Sequence, residues 1–353
     1  MLKQQNYFFL SLYFVMIILT GCKNTDNEHQ TNHHESILIE DFELFAGFDH
    51  HGLVRPIQVE VLSDGNVAVL DNQTNLVHIL NTEAKRITSF GGDGSGPGEF
   101  QQATQLLYSE NYLYVVDANL RQINQFKYSG EFIQSFDVDT GMYLPYVTMM
   151  NDESFFTMTM GENGSLIKKI NVNTGSTNYI GEAIGEEYRP GNFEEEVRTL
   201  RNGEVPGFMK NEITKHFNNN HLYVFLNTLS RLQKYTPDGR MLWDLEIHMP
   251  VNQAIFDDAV DRAHGPEGEW GVPAFKYILS MKVFENEPYI LWNYTDGFPQ
   301  ALVNIDKDGQ VTTIYNIQNG SSILIDFSFD THNDILYAID SESGQVYRTR
   351  LPQ

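Results

Sequence analysis

The chain holds a single cysteine, 23 basic residues against 47 acidic ones, and no apolar run longer than the 13 residues from Tyr7 to Leu19. One cysteine cannot build an internal disulfide framework or a Cys-rich zinc site. A formal charge of −24 argues against a protein that gains affinity by neutralising phosphates, so no nucleic-acid partner is expected. It argues equally against docking on anionic lipid through basic side chains. The 13-residue run is too short for an ordinary membrane-spanning helix. There is no His-Glu-x-x-His and no Gly-x-Ser-x-Gly, and the glycine-rich stretch Phe90–Phe100 lacks the Lys-Ser/Thr ending of a phosphate-binding loop. What remains is a chain of 353 residues, 41% hydrophobic and 12% aromatic. That is too apolar for a disordered acidic polymer and long enough for one large domain or two ordinary ones.

The N-terminus reads as an address. Lys3 supplies a positive start, Tyr7–Leu19 an apolar middle, and Leu19-Thr20-Gly21-Cys22 the end. This last tetrapeptide resembles the lipobox of bacterial lipoproteins. The resemblance implies a signal peptide over residues 1–21 and a lipid on Cys22, which would make a membrane the first partner. The implied location is the outer membrane, on its periplasmic or its exposed side. Residues 22–36 are polar and aperiodic and read as a flexible tether. Their histidines, His29, His33 and His34, are expected to be solvated rather than to bind metal.

The rest is repetitive, and repeats decide a fold. A short run rich in β-branched and aromatic residues, ending in Asp or Asn, recurs as Val67–Asp71, Leu113–Asp117, Leu222–Asn227, Tyr289–Asn293 and Leu336–Asp340, with a degenerate copy at Phe155–Met160. A polar turn precedes each run. A second turn set follows at 81–84, 128–130, 173–175, 236–239 and 306–309. Each unit is thus four antiparallel strands, and such units repeated radially are propeller blades. Six first turns but five second turns leave the last unit without its fourth strand. The segment Ile37–Leu44 is expected to supply it and close the ring, which removes the open edges. The fold class is therefore all-β: a six-bladed β-propeller over residues 37–353, with seven blades as the alternative.

The stretch Asn111–Gly130 resembles an NHL-type repeat, and Phe90–Phe100 resembles the loop that opens blades in NHL and TolB-like propellers. With the lipobox, the chain is similar to exported six-bladed propeller lipoproteins. That resemblance implies a fold and an envelope location but no settled activity.

Extra length marks where function could sit. Successive strand ends lie 43–47 residues apart except across two connections, where they lie 67 and 66 apart. The surplus falls at 186–210 and 251–274, both between the last strand of one blade and the first of the next. Long loops on a rigid scaffold commonly carry binding. Acidic and aromatic residues there suit a protein, peptide or glycan ligand, and Tyr188, Arg189, Phe193, Asp261, His264 and Trp270 are the candidates. Asn252–Ala263 has the apolar spacing of a short helix. The strand-end residues Asp71, Asp117, Asn227, Asn293 and Asp340 are expected to cap their own turns. No cofactor or metal is predicted, although calcium suits such oxygen donors. The expected function is a binding scaffold held at the membrane. The alternatives are a calcium-dependent lactonase- or lyase-like enzyme in the central channel, which the propeller resemblance suggests, and a structural subunit of an envelope complex.

Overall fold

A computed structural model describes residues 34–138, 147–188, 191, 193–318 and 323–352. The expected signal segment, Cys22, most of the tether and Arg189 lie outside the described residues.

Two short strands, β1 (Glu35–Ile39) and β2 (Glu43–Ala46), and one helical turn, α1 (Phe48–His51), precede the repeats. Blade one is β3 (Pro56–Val61), β4 (Val67–Asp71), β5 (Leu76–Leu80) and β6 (Arg86–Gly91). Blade two is β7 (Ala103–Tyr108), β8 (Tyr112–Asp117), β9 (Gln122–Lys127) and β10 (Phe132–Asp137). Blade three is β11 (Val147–Asn151), β12 (Ser154–Met158), β13 (Ser165–Asn171) and β14 (Thr177–Glu182). Helix α2 (Phe193–Arg201) leads to blade four: β15 (Ile213–Asn218), β16 (His221–Leu226), β17 (Arg231–Tyr235) and β18 (Met241–Glu246). Helix α3 (Val251–His264) leads to blade five: β19 (Ile278–Phe284), β20 (Glu287–Trp292), β21 (Gln300–Ile305) and β22 (Val311–Ile317). Blade six has β23 (Leu324–Asp330), β24 (Ile335–Asp340) and β25 (Gln345–Arg350), completed by β2.

The first strands β3, β7, β11, β15, β19 and β23 contact one another in cyclic order, with β23 returning to β3. This is a closed ring of six. The second strands are fully buried along β4 and β12 and nearly so along the others, because each is covered by neighbouring blades on both faces. Six apolar clusters result, one at each interface. Leu70 and Val77 meet Leu106 and Val115 between blades one and two, and Tyr223 and Phe225 meet Ile290 and Trp292 between blades four and five. The turns behave as their composition demands. Asn219 and Asn220 have φ of 46° and 62°, and Glu285 and Asn286 have 52° and 72°, the left-handed pair that suits a tight hairpin. In the Phe90–Phe100 loop, Gly91 has φ of 100°, and a Cβ there would meet the buried Phe100 ring at 2.5 Å. The loop is a packing turn.

The ring closes with one difference from expectation. The segment Ile37–Leu44 is not one strand. Only β2 pairs with β25 in blade six, antiparallel, while β1 runs parallel to β22 as a fifth, outermost strand of blade five. The polar Glu40 and Asp41 separate the two, so one stretch of chain serves two adjacent blades. Strand pairing begins at Glu35, two residues earlier than expected.

Candidate functional site

The inner strands present one backbone edge to the axis, and polar side chains from the preceding blade satisfy much of it. The Gln58 amide bonds both N–H and C=O of Leu106, at 2.8 and 2.7 Å. Gln105 does the same for Val147, at 2.9 and 2.8 Å. Nδ1 of His216 accepts from the Val283 N–H at 2.7 Å. Asp326 and Ser328 accept from the N–H groups of Val59 and Val61, at 3.0 and 2.9 Å. Buried backbone groups need such partners, so these side chains first serve as stitches between blades.

They also enclose a cavity of about 540 Å³ on the axis, lined by residues of all six inner strands. Of its charged residues, Glu60, Lys215, Lys282 and Asp326 are buried and Glu212 and Lys276 half-buried. Lys282 on β19 forms ion pairs with Glu60 on β3 and, at 3.5 Å, with Asp326 on β23. Ser280 donates to Asp326 at 2.6 Å, and Gln58 to Glu60 at 2.8 Å. Burial pushes the Lys282 ammonium down, but the charges of Asp326 and Glu60 outweigh it and hold the pKa above its ordinary value. Burial raises the Glu60 carboxyl, and the nearby Lys282 offsets only part of that rise. Lys215 on β15 is driven down to about 7 by burial. His216 falls to about 3 through burial and the neighbouring Lys282 charge, so its ring is neutral with Nδ1 as acceptor.

A second hollow of about 380 Å³ lies against α3, and Glu212 and Lys276 line both it and the axial cavity. Burial raises the carboxyl of Glu212 and lowers the amine of Lys276, and in each case the other's charge opposes the shift. Asp258, Arg262, Asn293, Tyr294 and Thr295 complete the outer hollow. The second insertion walls this hollow through α3, and the first insertion docks on α3. Arg201 at the end of α2 donates to the carbonyls of Ala263 at 2.7 Å and Gly268 at 3.4 Å. Helix α3 spans the helix expected over Asn252–Ala263 and adds one residue at each end.

The five described sequence candidates are not gathered round either hollow. Tyr188 packs edge-on against Phe208 at 5.2 Å. His264 Nε2 bonds the carbonyl of Arg201 at 3.1 Å and belongs to the helix–helix contact. Phe193 is 44% exposed and Trp270 86% exposed, and Asp261 is exposed. Arg189 lies outside the described residues. Trp292 is fully buried against Phe225, and Trp243 packs edge-on with Tyr223. Three of the five strand-end residues cap turns as expected: Asp71 accepts from the N–H groups of Gln73 and Thr74, Asp117 from Leu120, and Asp340 from Glu342. The other two differ: Asn227 accepts from the Thr214 hydroxyl at 2.9 Å, and Asn293 donates to the Lys276 carbonyl at 3.0 Å and accepts from the adjacent Tyr294 N–H. Asp71 and Asp117 also clasp the incoming chain at Val54 and Gln101.

Sequence reasoning left the axial residues unassigned. Their signal is a charge set inside an apolar strand, as in Val59-Glu60-Val61, Met281-Lys282-Val283 and Ile325-Asp326-Phe327. Glu60 and Asp326 are the carboxylates a calcium ion on this wall would use, but the Lys282 ammonium already bridges them. A resident calcium therefore does not fit this donor pair. Among the described residues no group of three or more His, Cys, Asp or Glu is placed to hold a metal.

A closed ring of six radial sheets around a charged axial cavity defines a β-propeller with one elaborated mouth. The chain belongs to the 6-bladed beta-propeller family DUF5128, whose model matches residues 44–235. A DUF4221 family member from Bacteroides vulgatus has a similar fold, with TM-score 0.57, 9% identity, and 88% of this chain and 96% of that chain covered. So has a Bacteroides fragilis protein named "Putative exported protein", with TM-score 0.54, 11% identity, and 86% and 87% covered. A catalytically inactive virginiamycin B lyase from Staphylococcus aureus, solved with quinupristin, gives TM-score 0.51, 12% identity, and 88% and 100% covered. At these identities the likeness is one of fold alone. No curated protein matches the sequence. No helix among the described residues is long and apolar enough to cross a membrane.

Proposed function

We propose that the protein is an exported lipoprotein, anchored through Cys22, whose propeller binds a small polar ligand in the axial cavity beneath the docked insertions. The observation that carries this reading is the axial cavity itself, walled by all six inner strands and sharing Glu212 and Lys276 with the outer hollow. At about 540 Å³ the axial cavity has the volume usual for small-molecule sites. A mixed lining of amides, aromatics and charges of both signs suits hydrogen-bonding ligands such as short glycans or peptide fragments.

The test is a thermal-shift panel of mono- and disaccharides, dipeptides and organic acids on the purified protein, repeated with Glu212→Gln and Lys276→Met. Compounds that raise the Tm of the parent and of neither variant support the site. A panel without stabilising compounds, or hits indifferent to both changes, overturns it. The anchor is tested separately by metabolic labelling with palmitate. Label is expected on the parent and absent from Cys22→Ser.

A further inference from the structure

The hydrogen bonds on the axial wall leave an acceptor and a donor unengaged among the described residues. Glu60 commits one carboxylate oxygen, Oε1, to both Lys282 and Gln58. The residue is only 5% exposed, but its Oε2 has no partner among the described residues and is not one of their sealed polar atoms. The space that reaches it is the axial cavity, which Glu60 lines. His216 accepts from the Val283 N–H through Nδ1, so the hydrogen of its neutral ring sits on Nε2. That Nε2 likewise has no partner among the described residues and is not sealed, and His216 lines the same cavity. So does Tyr108, whose phenol is raised by burial and then by the charge of Glu60. Glu60, Tyr108 and His216 each lie within the last three residues of β3, β7 and β15, so they stand at one level of the ring.

A free acceptor and a free donor on one wall select ligands by chemistry. An anion can accept from His216, but it cannot donate to Glu60 and meets its negative charge. An ammonium can donate to Glu60, where Lys282 already sits, but it cannot accept from His216. A free peptide brings both charges into a wall whose own carboxylates are already paired, and unpaired buried charge is costly. A hydroxyl donates and accepts at one oxygen and carries no charge. Neighbouring hydroxyls on a sugar ring therefore meet both groups. Along β15, Glu212 lies four residues before His216, about 13 Å at the usual rise of a strand. A ligand that also reaches Glu212 is longer than one sugar ring. We infer that the axial cavity takes an uncharged glycan of two or more sugar rings, with one ring hydrogen-bonded to Glu60 Oε2 and His216 Nε2–H beside Tyr108. This deepens the reading of the axial cavity as the ligand site and rests on it.

The test is isothermal titration calorimetry of the purified protein. The probes are lactose, maltose and cellobiose, set against glucose, glucuronic acid, glucosamine and an N-acetylated dialanine amide. At least one disaccharide is expected to bind about tenfold tighter than each of the other four, the effect of one or two hydrogen bonds gained without a charge to bury. Tyr108→Phe removes one hydroxyl and keeps the ring. It should weaken that disaccharide by about threefold to tenfold. The bound sugar should also shift the nitrogen NMR resonance of His216 Nε2 and leave the ring in the same tautomer. Disaccharides that bind no better than glucose, the charged sugars or the peptide amide, or that do not bind, overturn the inference. So does a bound disaccharide that is indifferent to Tyr108→Phe and leaves the His216 resonance in place. The thermal-shift panel with Glu212→Gln and Lys276→Met decides separately whether the cavity is a ligand site, so a hit there from another chemical class leaves the site standing and removes only the glycan.

Discussion

The ammonium of Lys282 on blade five and the carboxylate of Glu60 on blade one are joined by a buried ion pair, although blade six lies between those two blades in the ring. Asp326 on blade six shares the same ammonium. Three blades, including the one that closes the ring, thus meet at one nitrogen. Removing one partner of such a pair leaves uncompensated buried charge. Lys282→Met is expected to cost about 3–5 kcal/mol in urea unfolding. Adding Glu60→Gln to that variant should recover part of the loss; no recovery would mean that Lys282 acts by packing alone.

Chelator is expected to leave the Tm of the parent protein unchanged, because an ammonium fills the place between the axial carboxylates. Lys282→Ala should gain a calcium-dependent rise in Tm, since Glu60, Asp326 and the Val59 carbonyl would then be oxygen donors without a cation. A parent protein that melts earlier in EDTA contradicts this account of the axis.

Acid should weaken the fold through two histidines. Burial lowers the pKa of His216 to about 3 and that of His78 to about 4. A depressed histidine pKa means that the fold prefers the neutral ring. The associated stability is complete above about pH 6.5 and is lost as pH falls toward about 4 for His78 and about 3 for His216. Glu60 opposes this trend, because its raised pKa makes protonation favourable in the fold. His216→Gln can still accept from the Val283 N–H. It is expected to show a shallower loss between pH 6.5 and 4 in denaturant titrations, and a slope equal to the parent's would count against His216.

Ring closure should depend on β2 far more than on β1. Phe45 on β2 is buried with its ring 4.9 Å from that of Tyr337, edge to face. Phe45→Ala is expected to cost about 3–5 kcal/mol. A chain beginning at Glu40 loses β1, where Ile39 is the one fully buried side chain, and should lose about 2 kcal/mol or less. Equal effects would show that the five-stranded blade is part of the closure.

The two insertions should come apart at Arg201. With its bonds to Ala263 and Gly268 removed, Arg201→Ala is expected to speed amide hydrogen exchange over residues 193–201 and 251–264 while strands of the ring keep their protection. Unchanged exchange in both helices would show that apolar contacts alone hold them.

The ring was legible because its evidence is periodic. Val67–Asp71 and its copies repeat a strand pattern, and the missing turn in the last unit pointed to an N-terminal partner. The split between β1 and β2 was not legible, since Ile37–Leu44 is apolar enough to pass for one strand and only pairing separates Ile39 from Leu44. The site was harder still. Asp71 and Asp117 could be assigned as caps because capping is local. Glu60 lies 222 residues from Lys282, Asp326 is one blade further on, and the three acquire their role only when blades one, five and six converge. The candidates in the insertions were chosen by residue type, yet contact with the neighbouring helix decides which side a residue such as His264 faces.

The placement of β1 has a mechanical side. A pull delivered through the N-terminus reaches the β1–β22 pairing before it reaches β2, and β1 belongs to a different blade from the strand that closes the ring. Under load the five pairings of β1 can part first and lengthen the leash while β2 stays locked against β25. With the chain held at Cys22 as proposed, a tug would be spent on β1 before it reached the strand that closes the ring.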